Sequence, residues 1–193
     1  MLSEEQELVK AYFKSFSILT DRDIERFIQL SAKRKLKKSD FFIREGQICK
    51  EVAFVLKGTL RSFYISNKGS EITYCITFPD NLTTAYSSFI TGDSTPENIQ
   101  CMTPVEMLSI QKKEIDDLAA KSPNWMKFLK IMAERQYIEL EKRIFQLQKG
   151  NALQRYVELE KKQPELIQNI PLQHLASYLG VTQRHLSRIR KNK

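Results

Sequence analysis

A chain of 193 residues, 41% hydrophobic and 28% charged, is long enough for one substantial core and a smaller domain at roughly 150 residues per domain. Six Gly and six Pro exclude a low-complexity chain, and no uncharged apolar run approaches the ~18 residues that a membrane span needs. The net charge of +8 is unevenly placed: residues 1–141 hold 20 basic and 20 acidic side chains, residues 142–193 hold 11 and 3, so the excess lies in the last 52 residues. A neutral body with a basic end points to a polyanionic partner for that end.

The acidic start Met1-Leu2-Ser3-Glu4-Glu5 has neither the basic nor the apolar region of a signal peptide, and a cytoplasmic location without membrane contact is expected. Leu8, Tyr12 and Phe16, with Val9 and Phe13 beside them, recur at helical spacing. Thr20 followed three residues later by Asp23 has the form of a helix cap, and a second helix is predicted from Asp21 to about Lys33, burying Ile24, Phe27 and Ile28.

From Leu36 the period changes. Phe41–Ile43, Val52–Leu56, Leu60–Ile65 and Glu71–Phe78 are short and β-branched or aromatic, and Gly46, Gly58, Asn67-Lys68-Gly69 and Pro79-Asp80-Asn81 punctuate them. Strands of this length and spacing predict a β-barrel or jelly roll, closed by a last strand from Val105 to Ile110.

A long helix is predicted from about Ser122 to Lys149, with Pro123 in its first turn. Met126, Leu129, Ala133, Tyr137, Leu140, Ile144 and Leu147 follow in steps of three and four, close to a coiled-coil seam. Trp125, Phe128, Met132 and Ile138 widen the apolar stripe enough for two partners, so the helix is expected to lie partly on the roll and partly against a second copy of the chain. The competing expectation is an ordinary helix packed once on its own domain. Lys149-Gly150-Asn151 ends it where a left-handed glycine cap would fall and marks a hinge. A further helix runs from Ala152 to about Lys162, stopped by Gln163-Pro164. The expected domains are therefore 1–121, 122–149 and 150–193.

Cys49, Cys75 and Cys101 are odd in number and 26 residues apart, with no C-x-x-C pair, so neither a disulfide framework nor a metal set is visible. They read as free thiols, although oxidation of one of them is a possible signal. The two histidines, His174 and His185, both lie in the basic end. No Ser-His-Asp triad, His-ligated metal or His general base is available in the first 173 residues, and no enzyme is expected.

The strongest motif is Ile170-Pro171-Leu172-Gln173-His174-Leu175-Ala176-Ser177-Tyr178-Leu179-Gly180-Val181-Thr182-Gln183-Arg184-His185-Leu186-Ser187-Arg188-Ile189-Arg190-Lys191. Ala176 is small where a second helix would cross, Gly180 permits the positive φ of a turn, Val181 plugs the junction and Thr182 caps the next helix. Leu175, Leu179, Leu186 and Ile189 supply the inner faces. Gln183, Arg184, Ser187, Arg188 and Lys191 then lie on the outer face, where a major-groove helix carries its base and phosphate contacts. The candidate DNA-binding set is Thr182, Gln183, Arg184, Ser187, Arg188, Arg190 and Lys191.

Phe54-Val55-Leu56-Lys57-Gly58-Thr59-Leu60-Arg61, preceded by Arg44-Glu45-Gly46 and followed by Asn67-Lys68-Gly69-Ser70-Glu71-Ile72-Thr73, resembles the cyclic-nucleotide-binding roll of the catabolite activator and fumarate-nitrate (Crp/Fnr) regulators. Roll, long helix and helix-turn-helix follow in that family's order, so the resemblance covers nearly the whole chain. It implies an α+β chain: an N-terminal jelly-roll-like domain of the cyclic-nucleotide-binding type with flanking helices, a dimerisation helix and a C-terminal all-α helix-turn-helix. It also implies a homodimeric transcription regulator whose partners are double-stranded DNA and RNA polymerase.

Two departures qualify what is carried over. Members that bind cyclic AMP hold its phosphate with an Arg-Ser or Arg-Thr pair, whereas here no Arg or Lys occurs from Leu82 through Gln111. A buried phosphate without a cation is costly, so cyclic AMP is not expected. Another small effector would sit near Tyr86, Ser87, Ser88, Thr95 and Tyr137, and no cofactor is evident. Members with Arg-Glu at the start of the recognition helix have Gln183-Arg184 here, which predicts a different target sequence. The alternative function is a ligand-sensing roll that acts through a protein partner rather than DNA.

Overall fold

The computed structural model describes residues 4–162 and 164–192. Two helices open the chain, α1 (Glu4–Lys14) and α2 (Asp21–Leu30), followed by the strands β1 (Ala32–Leu36), β2 (Phe41–Ile43), β3 (Glu51–Lys57), β4 (Leu60–Ile65), β5 (Glu71–Thr77) and β6 (Asn81–Thr83). A short helix α3 (Tyr86–Thr91) precedes β7 (Asn98–Cys101) and β8 (Val105–Gln111). The rest is helical: α4 (Lys112–Lys121), α5 (Pro123–Lys149), α6 (Ala152–Lys162), α7 (Pro164–Asn169), α8 (Leu172–Tyr178) and α9 (Gln183–Lys191). The expected class, an antiparallel β domain with flanking helices and an all-helical C-terminal region, is the one observed.

The strands form two four-stranded sheets, in the orders β1-β8-β3-β6 and β2-β7-β4-β5. β8 pairs antiparallel with both β1 and β3, setting Leu108 opposite Lys33 on one side and Phe54 on the other. Phe54, Val55, Met107 and Ile99 have no exposed surface at all. Gly58, between β3 and β4, has φ +88° and no room for a side chain: a Cβ there would lie 2.2 Å from the Pro104 carbonyl oxygen.

The described chain divides into two compact units, one formed by the residues up to Ser62 with Ile76–Ala133, the other by Phe63–Cys75 with the residues from Glu134 onward. In the first, α1, α2 and the start of α5 meet in an aromatic cluster. The Phe13 ring packs edge-on against Phe27 at 4.8 Å, Phe128 at 5.3 Å and Trp125 at 5.6 Å, and Phe27 stacks on Trp125 at 5.8 Å. Truncating a buried ring such as Phe13 costs about 3–5 kcal/mol. Phe16, placed in the first helix by its spacing, falls just beyond the end of α1 but still packs on Phe128 at 5.1 Å.

Several expected boundaries are corrected. The second helix ends at Leu30 rather than near Lys33, because Ser31 turns extended and Ala32–Leu36 pairs with β8 instead. Lys33 and Lys35 both pair there with Glu106, a cross-strand neutralisation that a single segment does not display. The strands β6 and β7 are only three and four residues long, α3 and α7, six residues each, are too short to repeat an apolar face, and α4 buries a single pair, Ile115 and Leu118. Gly150 does not adopt the left-handed cap: among the glycines, positive φ occurs at Gly46, Gly58, Gly69, Gly92 and Gly180. The break is made by Asn151, whose Oδ1 accepts from the Gln154 N–H at 2.9 Å while the Asn151 N–H donates to Gln154 Oε1 at 3.0 Å. The expected stop at Gln163 lies outside the described residues, and Pro164 itself begins α7.

The Thr20–Asp23 cap forms as predicted, and Asp23 does more than cap. Its carboxylate accepts from the Thr20 N–H at 3.0 Å, from Ser122 Oγ at 2.9 Å and from Asn124 Nδ2 at 3.1 Å, tying α2 to the start of α5. Partial burial opposes ionisation, yet the hydrogen bonds from Thr20, Asn124 and Ser122 outweigh it and hold the carboxyl below the ordinary range. A depressed folded pKa means a contribution present above the unfolded value and lost as pH falls through the folded one. Below about pH 4, the ordinary carboxylate range, wild-type melting temperature should therefore fall more steeply than that of Asp23→Asn, as thermal denaturation across a pH series will show.

Candidate nucleic-acid interface

The motif at the C-terminus folds as two helices joined by a tight turn. α8 is capped at Leu179, whose N–H donates to the Leu175 carbonyl at 2.9 Å. Gly180 follows with φ +68°, and the Val181 N–H returns to the Ala176 carbonyl at 3.0 Å. The Thr182 hydroxyl then accepts from the His185 N–H at 3.2 Å, opening α9. Leu175, Ala176, Leu179, Leu186 and Ile189 are all buried, joined by Ile170 and by Tyr156 of α6. Val181 is half-buried rather than a full plug.

The outer face of α9 is open. Thr182, Gln183, Arg184, Arg188 and Lys191 are exposed, whereas Ser187, expected on the same open face, is half-buried. Arg190 is exposed too, but its Nη2 donates to the Ile167 carbonyl at 2.8 Å, which ties α9 to α7. Arg188, Arg190 and Lys191 also sit in the last turn, where cations favour the helix dipole.

The expected dimer stripe divides along α5. Trp125 and Phe128 are buried in the aromatic cluster, and Leu129 and Met132 pack against the same core. Met126 on the opposite side is 57% exposed, and further along Tyr137, Ile138, Leu140, Ile144, Phe145 and Leu147 are all exposed. Ala133 is exposed as well.

The residues expected around an effector are not an open polar cup. Ser88, on α3, is buried: its Oγ accepts from the Cys49 N–H at 2.9 Å and donates to the Asp93 carbonyl. Thr95 is buried, exchanges backbone bonds of 2.8 Å with Gly46 and Gln47, and its Oγ1 accepts from the Glu97 N–H. Both hold the loop that follows α3. Tyr86 is half-buried, which pushes its phenol up, and Ser87 is exposed. Tyr137 lies on the exposed length of α5. A cation missed by scanning residues 82–111 is Arg61 on β4, 4% exposed, with Nη2 donating to Gln100 Oε1 at 2.8 Å. Its position inside the Gly58–Arg61 motif was the available signal.

Among the described residues, no group of three or more His, Cys, Asp or Glu is placed to hold a metal ion. No helix among them is long and apolar enough to cross a membrane. Cys49 and Cys101 are buried and Cys75 is half-buried, all as thiols.

Residues 33–122 match the family model of the cyclic nucleotide-binding domain. No curated protein sequence matches the chain significantly. Solved structures with the same fold include FixK2 from Bradyrhizobium japonicum, at 15% identity over 84% of this chain and 83% of that one, with a TM-score of 0.72. CLP of Xanthomonas campestris, a c-di-GMP responsive global regulator, aligns at 16% identity over 90% and 91% with a TM-score of 0.71. A transcriptional regulator assigned to the Crp/Fnr family from Eubacterium rectale aligns at 16% identity over 94% and 87%, also with a TM-score of 0.71. The chain has the fold of these regulators along most of its length.

Burial and the nearby Asp40 carboxylate push the Cys101 thiol up to about 11, against a smaller opposing pull from Arg34. Cys101 should therefore stay unmodified when the folded protein is treated with iodoacetamide near neutral pH and should react only after denaturation, as peptide mass spectrometry will show.

Proposed function

We infer that the protein is a homodimeric, sequence-specific DNA-binding transcription regulator with no catalytic activity. The observation that carries this reading is α9: a recognition-type helix seated on a buried apolar face, offering Gln183, Arg184, Arg188 and Lys191 to solvent at the basic end of the chain. The fold shared with regulators such as CLP and the Eubacterium rectale protein supports it.

In this reading the exposed apolar side chains of α5 meet those of a second copy, removing an otherwise unfavourable stripe from water. The dimer sets two recognition helices in successive major grooves about 34 Å apart on a roughly palindromic site. Gln183 and Arg184, near the N-terminus of α9, read base edges, with bidentate geometry suited to adenine and guanine. Arg188 and Lys191 neutralise phosphates; Arg190 contributes charge while bound to Ile167. RNA polymerase is the further partner of such a regulator.

The roll is then the regulatory domain. CLP is described as responsive to a cyclic dinucleotide, but residues 82–111 of this chain contain no cation, the buried Arg61 is bound to Gln100, and Ser88 and Thr95 are occupied within the fold. In this reading cyclic AMP is not the effector, and titration calorimetry with cyclic AMP should show no saturable heat.

DNA binding is tested by mobility shift with sites drawn from a random pool. Binding should weaken steeply with salt. Arg184→Ala should cost about 1–3 kcal/mol and relax preference at one base pair, whereas Lys191→Ala should weaken all sequences alike and flatten the salt dependence by about one unit of slope. No duplex binding at low salt, under reducing and oxidising conditions alike, overturns the reading in favour of a roll acting through a protein partner. Leu140→Glu on the α5 stripe should convert dimer to monomer in sedimentation and lower operator affinity with it.

A further inference from the structure

Three consecutive residues at the end of α8 are each held by a different element, all within the second compact unit. Ser177 meets β5, the terminal strand of its sheet, whose outer edge has no strand partner among the described residues. The Ser177 hydroxyl accepts from the Thr73 N–H at 2.8 Å and donates to the Glu71 carbonyl at 3.2 Å. Residues i and i+2 of a strand point their polar backbone groups to the same edge, so one hydroxyl satisfies the donor and the acceptor that another strand would otherwise take.

Tyr178 is held from α5. The Arg143 guanidinium lies 4.2 Å from the centre of its ring and also donates to its carbonyl oxygen. Both residues are half-buried, and that burial lowers the pKa of Arg143 and raises that of Tyr178. Leu179 is held from α6: Arg155 Nε donates to its carbonyl at 2.9 Å, and Nη1 of the same side chain donates to the Gly150 carbonyl. Arg155 thus bridges the α5–α6 corner and the last carbonyl of α8. Gly180, next in line, admits the Leu147 side chain so closely that a Cβ would lie 3.0 Å from it.

An exposed helix end needs none of this, since water satisfies its carbonyls. Two arginines and a serine spent on three successive residues immobilise the two-helix unit against the β4–β5 hairpin and the end of α5. We propose that this end of α8 is the rigid joint that sets the direction of the recognition helix, and hence the half-site spacing the dimer accepts, with Ser177, Arg143 and Arg155 as its positioning residues. The proposal rests on the DNA-binding reading above.

The test uses the full chain and palindromes of fixed half-sites whose spacer is lengthened or shortened by one or two base pairs. Wild type should prefer one spacer. In Ser177→Ala and Arg155→Ala the preference for that spacer over one a base pair longer should fall by about threefold or more, a difference of about 0.65 kcal/mol, while base preference within each half-site is unchanged. Ser177→Thr, which keeps the hydroxyl, should behave as wild type. An unchanged spacer preference in both alanine variants overturns the proposal. Amide exchange gives a second arm that needs no DNA: in Ser177→Ala the Thr73 amide should exchange about tenfold faster or more while amides of β3 are unaffected. Equal protection of Thr73 in variant and wild type also overturns it. Failure of wild type to bind any duplex would sink the DNA-binding reading, whereas the exchange result reports on the joint alone.

Discussion

Everything in this chain hangs on how α5 is anchored. Trp125 and Phe128, in its first two turns, are sunk into a cluster with Phe13 and Phe27, and Asp23 adds hydrogen bonds from Ser122 and Asn124 at its start. That leaves the remaining turns of a 27-residue helix free to serve other surfaces. At about 1.5 Å per residue, the helix is roughly 40 Å long. Because the anchor occupies one face, the opposite face keeps Met126, Tyr137, Leu140 and Ile144 in water, the exposure on which the proposed second copy rests.

The C-terminal unit solves a different problem. It has a small core, built on Leu175, Leu179, Leu186, Ile189 and Tyr156, and such a core does little to fix orientation. Polar contacts do that instead. Ser177 closes the open edge of β5, and Arg143 and Arg155 take the carbonyls that α8 leaves unsatisfied. The basic charge of this region is therefore of two kinds: Arg143, Arg155 and Arg190 are turned onto the protein's own carbonyls, and Arg184, Arg188 and Lys191 are turned outward. A net charge computed from composition counts both alike.

What could be read in advance followed from how local each interaction is. The Thr20–Asp23 cap, the turn at Gly180, the cap at Thr182 and the four buried positions of the two-helix unit are settled within a few residues of chain, so spacing reveals them. The strand β1 was hidden because its charges are neutralised by Glu106 and Glu5, far along the chain. The cap expected at Gly150 failed because Asn151 and Gln154 satisfied the break with side chains. Ser88 and Thr95 looked available for a ligand, but their hydroxyls close a loop against Cys49 and Glu97.

The amino-acid order by itself determined the class of fold, the long helix and the basic helix that closes the two-helix motif, since periodicity, caps and the +8 concentrated at one end are properties of neighbouring residues. Only the tertiary structure decided which arginines face out and which are consumed inside, because an exposed and a carbonyl-bound guanidinium are the same letter in the sequence. It also decided that Ser177, an ordinary polar residue in a helix, meets the edge of a strand more than a hundred positions away. That contact exists only once β5 has been placed at the end of its sheet.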